Sequence, residues 1–161
     1  MMKPILFFTA ILVFLAGCSS SGNTPLSKEY SKIEKRTDET NRLLSTFSSI
    51  NSTLEDGSEM ISYYHNGTLK KIHIAKDRTG GIETRDCYFH NWKISYIVDS
   101  VTDLDMGSDN KTSRDRYYFK DDKLIGWDRH GADVIYTSGS GYNEKEKELL
   151  DDVEAYLLVI Q

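Results

Sequence analysis

The sequence predicts an α+β domain: an antiparallel meander sheet of about six strands with an N-terminal helix and a C-terminal helix packed on it. Three observations predict this fold class. Apolar residues near the start of the domain recur at helical spacing, three short segments in the middle repeat one hairpin pattern, and the last twenty residues present one continuous apolar face.

The N-terminal helix is predicted from a stripe of residues at alternating steps of four and three, which lie on one side of a helix. Two threonines in the stripe weaken its apolar character. The serine-rich segment 45–53 is expected to fray the end of this helix, and Asp56-Gly57 to close it with a turn. The members of the stripe are Leu26, Tyr30, Ile33, Thr37, Thr40, Leu44 and Phe47.

Three segments, 63–69, 88–94 and 118–124, each contain two aromatic residues, a spacer, Asn or Asp at a turn, and then an aliphatic residue. Asn66-Gly67 is the strongest hairpin signal, because both central residues of a type I′ turn need positive φ. Asn91-Trp92 and Asp121-Asp122 are poorer versions of the same turn. Three successive hairpins predict about six antiparallel strands.

The rest of the domain is predicted from polarity and capping. The polar, acidic segment 102–112 is expected to be a loop, and a further strand is expected at 133–137. Asn143 is predicted to cap the closing helix, with Glu146 at the capping-box position. The apolar face of that helix, which should lie on one face of the sheet, consists of Leu149, Leu150, Val153, Tyr156, Leu157 and Ile160.

Residues 1–17 have the three regions of an export signal: a basic start at Lys3, an apolar run over 5–14, and small residues before the cleavage site. The run is too short for a bilayer core about 30 Å thick, which needs roughly 20 apolar residues. Leu15-Ala16-Gly17-Cys18 resembles the lipobox of bacterial lipoproteins at every position. The resemblance implies cleavage between Gly17 and Cys18, with lipid on the Cys18 sulfur and an acyl group on the new amino terminus. The alternative is an ordinary secretory signal with a chance cysteine.

The same resemblance indicates where the protein is held. Ser19 stands where lipoproteins of the inner membrane typically carry Asp, so the resemblance favours the outer membrane, with the domain facing the periplasm. In a Gram-positive cell the same signal implies the outer face of the plasma membrane. Residues 18–25, rich in Ser, Gly, Asn and Thr, are predicted to be a flexible tether, and 26–161 a single domain.

Charge and cysteine content exclude some functions. Removal of residues 1–17 takes away one basic side chain, Lys3, so the mature chain carries 19 basic and 25 acidic side chains. With no basic cluster in the sequence, no nucleic-acid partner is predicted. If Cys18 carries lipid, Cys87 is the one remaining thiol. It lies in a predicted strand and is interpreted as a buried small residue. The alternative is an exposed thiol that forms an intermolecular disulfide.

The repeated hairpins also resemble the units of MORN-type proteins over residues 60–128, although the regular glycines and fixed repeat length of true MORN arrays are missing. The resemblance implies a scaffold and no particular activity. The aromatic residues at the strand ends are interpreted as core and cross-strand pairs, with an exposed binding face as the alternative. The candidate binding residues are Tyr64, Phe89, Trp92, Phe119 and Trp127.

The sequence contains no motif that is specific for catalysis or metal binding. Four aspartates around one loop, Asp99, Asp103, Asp105 and Asp109, could bind Ca²⁺, but they depart from the EF-hand order and are interpreted as solvated. The histidines at 65, 73, 90 and 130 have no metal-ligand spacing. No nucleophile elbow, P-loop or dinucleotide fingerprint occurs. The sequence therefore predicts no enzyme, no metal and no cofactor.

The sequence is compatible with three functions. The first is a lipid-anchored, non-catalytic module of the immunity, inhibitor or assembly type, which binds an envelope or effector protein. The second is a carrier or sensor of a small apolar or lipid ligand, with a cavity lined by Tyr64, Phe89, Ile97, Phe119 and Leu157. The third is a hydrolase, which requires a histidine and a carboxylate within hydrogen-bond reach in a cleft. The first is the function predicted here.

Overall fold

A computed structural model describes residues 25–104, 111–130 and 135–160 of the chain. These residues form two helices and a sheet, with a short 3₁₀ turn at Leu44–Thr46. The elements, in chain order, are α1 (Pro25–Leu43), β1 (Ser48–Thr53), β2 (Glu59–His65), β3 (Thr68–Arg78), β4 (Gly81–His90), β5 (Lys93–Asp103), β6 (Lys111–Lys120), β7 (Lys123–Asp128), β8 (Ile135–Tyr136) and α2 (Tyr142–Val159).

The sheet is an antiparallel meander in which strands β1 to β8 lie side by side in chain order. The α+β class is therefore confirmed, but the expected number of about six strands is wrong, because the described residues contain eight. The two strands beyond the three predicted hairpins are β1 and β8, one at each edge of the sheet.

The serine-rich segment expected to fray the helix instead forms β1. Its six residues pair in continuous register with β2, from Ser48 opposite Tyr64 to Thr53 opposite Glu59. Backbone hydrogen bonds to a neighbouring strand stabilise this segment, although its side chains have weak intrinsic strand preference. At the other edge β8 pairs with β7 through Ile135 and Tyr136. Residues 133 and 134 of the predicted strand lie outside the described part of the chain.

The polar segment 102–112 is also more strand than was expected. Thr102 and Asp103 belong to β5 and pair with Thr112 and Lys111 of β6, and residues 105–110 lie outside the described part. The Thr102 and Thr112 hydroxyls lie 3.0 Å apart across the pair. A hydrogen bond between threonines on neighbouring strands stabilises a sheet. The loop was predicted from the polarity of the segment alone.

The three predicted turns are confirmed by their backbone angles. Asn66 and Gly67 have φ values of 51° and 74°, and Asn91 and Trp92 of 52° and 65°. Asp121 and Asp122 have φ values of 51° and 60°. Positive φ at both central residues is the requirement of a type I′ turn, and a two-residue turn of this type matches the twist of the strands it joins.

Each of the three hairpins also contains a β-bulge beside its aromatic pair, a feature that the sequence pattern did not reveal. The pairing register shifts at Tyr63/Tyr64, at Tyr88/Phe89 and at Tyr118/Phe119. The extra residues on the returning strands are Lys70, Ser95 and Ile125, each the third residue after its turn. The internal repeat therefore extends beyond the turn residues to the backbone geometry of the hairpin end.

The two helices pack on opposite faces of the sheet. The face under α2 is the main core, in which Cys87, Ile97 and Phe119 contact a cluster that includes Leu149 and Val153 of α2. The other face carries a second cluster, in which Ile33 of α1 packs with three tyrosines of the sheet, at positions 88, 96 and 118. Since neighbouring residues of a strand point to opposite faces, the aromatic pairs of the second and third hairpins, Tyr88-Phe89 and Tyr118-Phe119, each contribute one ring to each core.

The tyrosine layer under α1 consists of Tyr30, Tyr88, Tyr96 and Tyr118, whose neighbouring rings lie 4.6 to 6.0 Å apart. Tyr30 donates a hydrogen bond of 2.7 Å to the carbonyl oxygen of Ile125, the bulged residue of the third hairpin. The aromatic contacts hold α1 on the strands, in the tilted geometry that rings prefer. Neither described helix is long and apolar enough to cross a membrane.

The start of α2 differs from the prediction. The helix begins at Tyr142, after Gly141 with φ 77°, so Asn143 lies inside the first turn and is not the N-cap. The Tyr142 side chain is buried in the main core, which places the beginning of the helix one residue before Asn143. The Glu146 carboxylate accepts a hydrogen bond of 2.8 Å from the backbone N–H of Leu124. It therefore ties α2 to β7 and does not close a capping box.

Candidate functional site

The five aromatic residues predicted as candidates for binding occupy different environments. Phe89 and Phe119 are 5% and 2% exposed and belong to the main core. Tyr64 and Trp127 are partly buried and pack against that core. Trp92, at the tip of the second hairpin, is 58% exposed. The structure therefore places one of the five largely in solvent and does not bring them together on one surface.

The four histidines lie at separate positions. His73 Nδ1 is 2.7 Å from a carboxylate oxygen of Asp86, and His130 Nδ1 is 3.2 Å from one of Asp115. His65 stacks on Phe47, with ring centroids 5.0 Å apart, and His90 is an exposed residue at the end of β4. Within residues 25–104, 111–130 and 135–160, no three His, Cys, Asp or Glu side chains are grouped to hold a metal ion.

Two of the four aspartates considered for Ca²⁺ are engaged with arginines. Asp99 accepts two hydrogen bonds from Arg85, of 2.6 and 2.8 Å, and Asp103 forms an ion pair with Arg78. Asp105 and Asp109 lie outside the described residues. The carboxylates of Asp99 and Asp103 are thus already bound to guanidinium groups, which compete with a cation for the same oxygen atoms.

Cys87 is a free thiol with no exposed surface, which confirms its interpretation as a buried small residue. Burial raises the pKa of its thiol well above the ordinary value, because the thiolate would lack solvation there. Cys18, Gly17 and the rest of the predicted signal lie outside the described residues.

One cluster of interacting polar side chains in the described chain was not predicted from the sequence. This polar cluster consists of Asn41, Lys71, His73, Asp86 and Tyr88. The Lys71 ammonium lies 3.0 Å from Asp86 and donates a hydrogen bond of 3.1 Å to the Tyr88 hydroxyl. The Tyr88 hydroxyl donates to the side-chain oxygen of Asn41 at 3.0 Å. The lysine side chain is only 9% exposed.

The polar cluster joins α1 to the sheet. Asn41 comes from the last turn of α1, Lys71 and His73 from β3, and Asp86 and Tyr88 from β4. Its members are up to 47 residues apart in the sequence, so no local spacing could reveal them. A buried lysine requires a partner charge, and Asp86 supplies it. The mutual hydrogen bonds indicate a structural anchor for the end of α1.

Beside the polar cluster, the part of the sheet face that α1 leaves uncovered forms an open groove of about 530 Å³. Asp86 and Tyr88 line the groove together with Arg114 and Arg116. His73 is not among its lining residues, so the partly buried His73–Asp86 pair presents only the carboxylate to the groove.

Asp86 is expected to contribute to acid sensitivity. Burial alone would raise the pKa of its carboxyl, but the hydrogen bond from His73 and the Lys71 charge outweigh burial and lower it. In the unfolded chain the pKa of an aspartate is about 3.9, and the pKa of Asp86 in the folded protein is lower. The ionised Asp86 therefore stabilises the fold above about pH 4, and this contribution is lost as the pH falls from there through the folded-state pKa. Urea unfolding at pH 7 and at pH 3 should therefore show a smaller loss of stability in Asp86→Asn than in the wild type.

The control for this prediction is Asp77→Asn, which removes an exposed carboxylate of β3 that forms no ion pair within the described residues. Its pH dependence should follow the wild type. If both variants lost equally little stability between pH 7 and pH 3, a specific role of Asp86 would be contradicted.

β1 is the longer of the two edge strands that the structure describes in the sheet. Its sequence, Ser-Ser-Ile-Asn-Ser-Thr, contains no charge and no proline, and five of its six residues are exposed. Its pairing with β2 contains no bulge. Ile50, in the middle of the strand, is 53% exposed. Charges, prolines and bulges are the devices by which sheets block their edges, and β1 has none of them.

No protein-family model matches this sequence. No curated protein matches it, and no solved structure does. The lipoprotein signal and the resemblance of residues 60–128 to MORN-type hairpins therefore stay predictions from the sequence.

Proposed function

We propose that this chain is a lipid-anchored envelope protein, held on the outer membrane through Cys18, and that it acts as a non-catalytic protein-binding module. The observation that carries the proposal is the unprotected edge strand β1. An extended segment of an envelope or effector protein would add to this edge as a ninth strand, as in other cases of strand addition.

The geometry of β1 supports this role. In an antiparallel pair, alternate residues direct their N–H and C=O groups toward the neighbouring strand, so the remaining groups of β1 point outward. Ile50 lies opposite Ser62 and leaves about half of its side chain available for contact. Main-chain hydrogen bonds would supply affinity, and side-chain contacts at Ile50 would supply selectivity. At the opposite edge, the described part of the chain contains two residues of β8, which offer less backbone.

The anchor suits a binding module of the immunity, inhibitor or assembly type. Residues 18–24 between the predicted lipid and α1 span at most about 25 Å when fully extended. Several acyl chains, at about 0.8 kcal/mol per buried methylene, would keep the domain on the bilayer. In a Gram-positive cell the same anchor would hold it on the outer face of the plasma membrane. The partner would therefore meet the domain close to that surface.

The competing functions receive less support from the described residues. A ligand carrier would need space among Ile97, Phe119 and their neighbours, but these two side chains are 0% and 2% exposed and pack in the main core. A hydrolase would need a histidine and a carboxylate that both face a cleft. His73 and Asp86 have the required distance, but His73 does not line the groove, and Asp86 is also paired with Lys71.

The proposal is tested by crosslinking in intact cells. A photoreactive amino acid replaces Ile50 in the full-length chain, and Leu158 of α2, which is 66% exposed, serves as the matched control position. We expect one recurrent envelope or effector protein to be captured from position 50 and not from position 158. Capture of lipid alone, of nothing, or of a second copy of this chain would contradict the proposal.

The captured partner then allows a direct measurement of affinity. Ile50→Lys places a charge on the edge, which opposes strand addition, and it should weaken binding of the purified partner by about tenfold or more. Leu158→Lys makes the same chemical change at an exposed position on α2 and should leave the affinity unchanged. Equal affinities of the two variants would show that the partner binds elsewhere.

A further inference from the structure

A basic groove lies between α1 and the ends of the first two predicted hairpins, on a chain whose net charge is −5. We define it by Lys32 and Arg36 of α1, His65, the bulged residue Lys70, and His90. Arg36, His65, Lys70 and His90 line a concavity of about 350 Å³. An adjoining concavity of about 230 Å³ is lined by Lys32, Arg36 and His90. The two concavities therefore form one continuous surface.

The hairpin repeat explains why basic groups meet here. His65 and His90 each directly precede the first residue of a type I′ turn, and the residues before them, Tyr64 and Phe89, pack toward the α2 face. Both histidines consequently point to the α1 face, at equivalent positions of two hairpins. Lys70 reaches the same surface from a bulge. Lys32 and Arg36, four residues apart, lie on one side of α1.

Three cationic groups of the groove have no ion-pair partner within the described residues. Lys32, Arg36 and Lys70 form no ion pair there, whereas the neighbouring Lys93 and Lys120 are paired with Asp122 and Glu29. Glu39 lines the larger concavity, and Glu29 and Asp121 line the smaller one, where Glu29 is paired with Lys120. The pKa of His90 is lowered by partial desolvation and, to a smaller extent, by the positive charges of Arg36, Lys70 and Lys32.

The walls of the larger concavity are partly apolar. Leu43 and Phe47 line it from the helix side, and Phe47 stacks on His65 with ring planes 16° apart. Ser95 also lines it, but its hydroxyl is used in a hydrogen bond of 3.0 Å to the carbonyl oxygen of Tyr88. A ligand that fits would combine an anionic group near Arg36 and Lys70 with an apolar part against Leu43 and Phe47.

We infer that the basic groove binds a phosphate ester, whose anionic oxygens are held by Arg36, Lys70 and Lys32. Guanidinium groups bind phosphate oxygens in bidentate geometry, and ammonium groups add point charges. The same chemistry is offered by a soluble phosphate ester and by the headgroup of an anionic phospholipid. This site is separate from β1, so the proposed function and the groove can fail independently.

The test follows the imidazole proton resonances of His65 and His90 by NMR in the full-length chain in uncharged detergent. Inorganic phosphate and glycerol 1-phosphate are added in one arm, with sodium chloride at equal ionic strength as reference. Bicelles of phosphatidylcholine with or without phosphatidylglycerol form the other arm. A saturable shift with the soluble phosphates would support the inference and indicate a soluble phosphate ester as the ligand. A shift with phosphatidylglycerol alone would support it and indicate a lipid headgroup.

The variants decide whether the groove is responsible. The double variant Arg36→Gln/Lys70→Gln should weaken the response by about tenfold or more, because two charge-assisted hydrogen bonds are lost. Lys35→Gln/Lys111→Gln removes the same charge at exposed positions outside the groove and should respond as the wild type does. The inference is overturned by an equal loss in both variants, by an equal response to acetate or chloride, or by no response to any probe.

Discussion

Phe119→Ala is expected to lower the free energy of unfolding by about 3–5 kcal/mol, the usual range for removing a large aromatic side chain from a core. Phe119 is 2% exposed and packs in the main core between the sheet and α2. The loss combines the transfer free energy of the ring with the cavity that it leaves. Urea unfolding followed by far-ultraviolet circular dichroism measures the difference.

Trp92→Ala is the matched control, because Trp92 belongs to the same group of aromatic residues that the sequence proposes for binding. Its ring is 58% exposed at a hairpin tip, so truncation should change stability by no more than about 0.5 kcal/mol. Both residues come from the same repeated hairpin pattern. If Trp92→Ala destabilised the fold as much as Phe119→Ala, the assignment of Phe119 to the core and Trp92 to the surface would be wrong.

Arg85→Met is expected to destabilise the fold by about 3 kcal/mol, within the range for breaking a buried ion pair by removing one partner. Arg85 is 17% exposed, binds Asp99 through two hydrogen bonds, and forms an ion pair with Asp152 of α2. Burial alone would lower the pKa of Arg85, but its hydrogen bonds and charge interaction with Asp99 raise it, so the charge persists. Thermal and urea unfolding should both register the loss.

The comparison variant for Arg85 is Arg78→Met in the neighbouring strand β3. Arg78 forms an ion pair with Asp103, whose side chain is 61% exposed, so its removal should cost no more than about 1 kcal/mol. Adding Asp99→Asn to Arg85→Met should recover part of the lost stability, because one of the two carboxylates no longer needs a counter-charge. No recovery in that double variant would mean that Arg85 acts through its packing and not through its charge.

Local chemistry explains which parts of the fold were predictable. Asn66-Gly67, Asn91-Trp92 and Asp121-Asp122 specify turns because a two-residue type I′ turn depends on φ angles of the turn residues themselves. The helical stripe through Ile33 and Thr37 and the apolar face through Leu149 and Val153 are likewise visible at short range. The local capping rule predicted the start of α2 incorrectly. The helix begins at Tyr142, which is buried, and Asn143 lies inside its first turn.

The candidate sites depended on contacts that no short window contains. Segment 45–53 looked like a frayed helix end, because its identity as β1 comes from pairing with β2. Lys71 and Asp86 gave no motif, since a charge pair across two strands has no characteristic spacing in the sequence. The basic groove combines a helix, two strand ends and a bulge, so its charges were scattered among acidic residues in the linear chain.

The sequence by itself determined the α+β class, the three hairpin turns, the two helices and the buried character of Cys87, because each depends on local backbone preference or on the periodicity of apolar residues. The tertiary structure alone decided the number of strands, the placement of the helices on opposite faces, the exposed edge β1, the polar cluster and the basic groove. These features depend on which distant segments lie side by side. Pairing between segments is selected by the packing of the whole domain, and neighbouring residues carry little information about it.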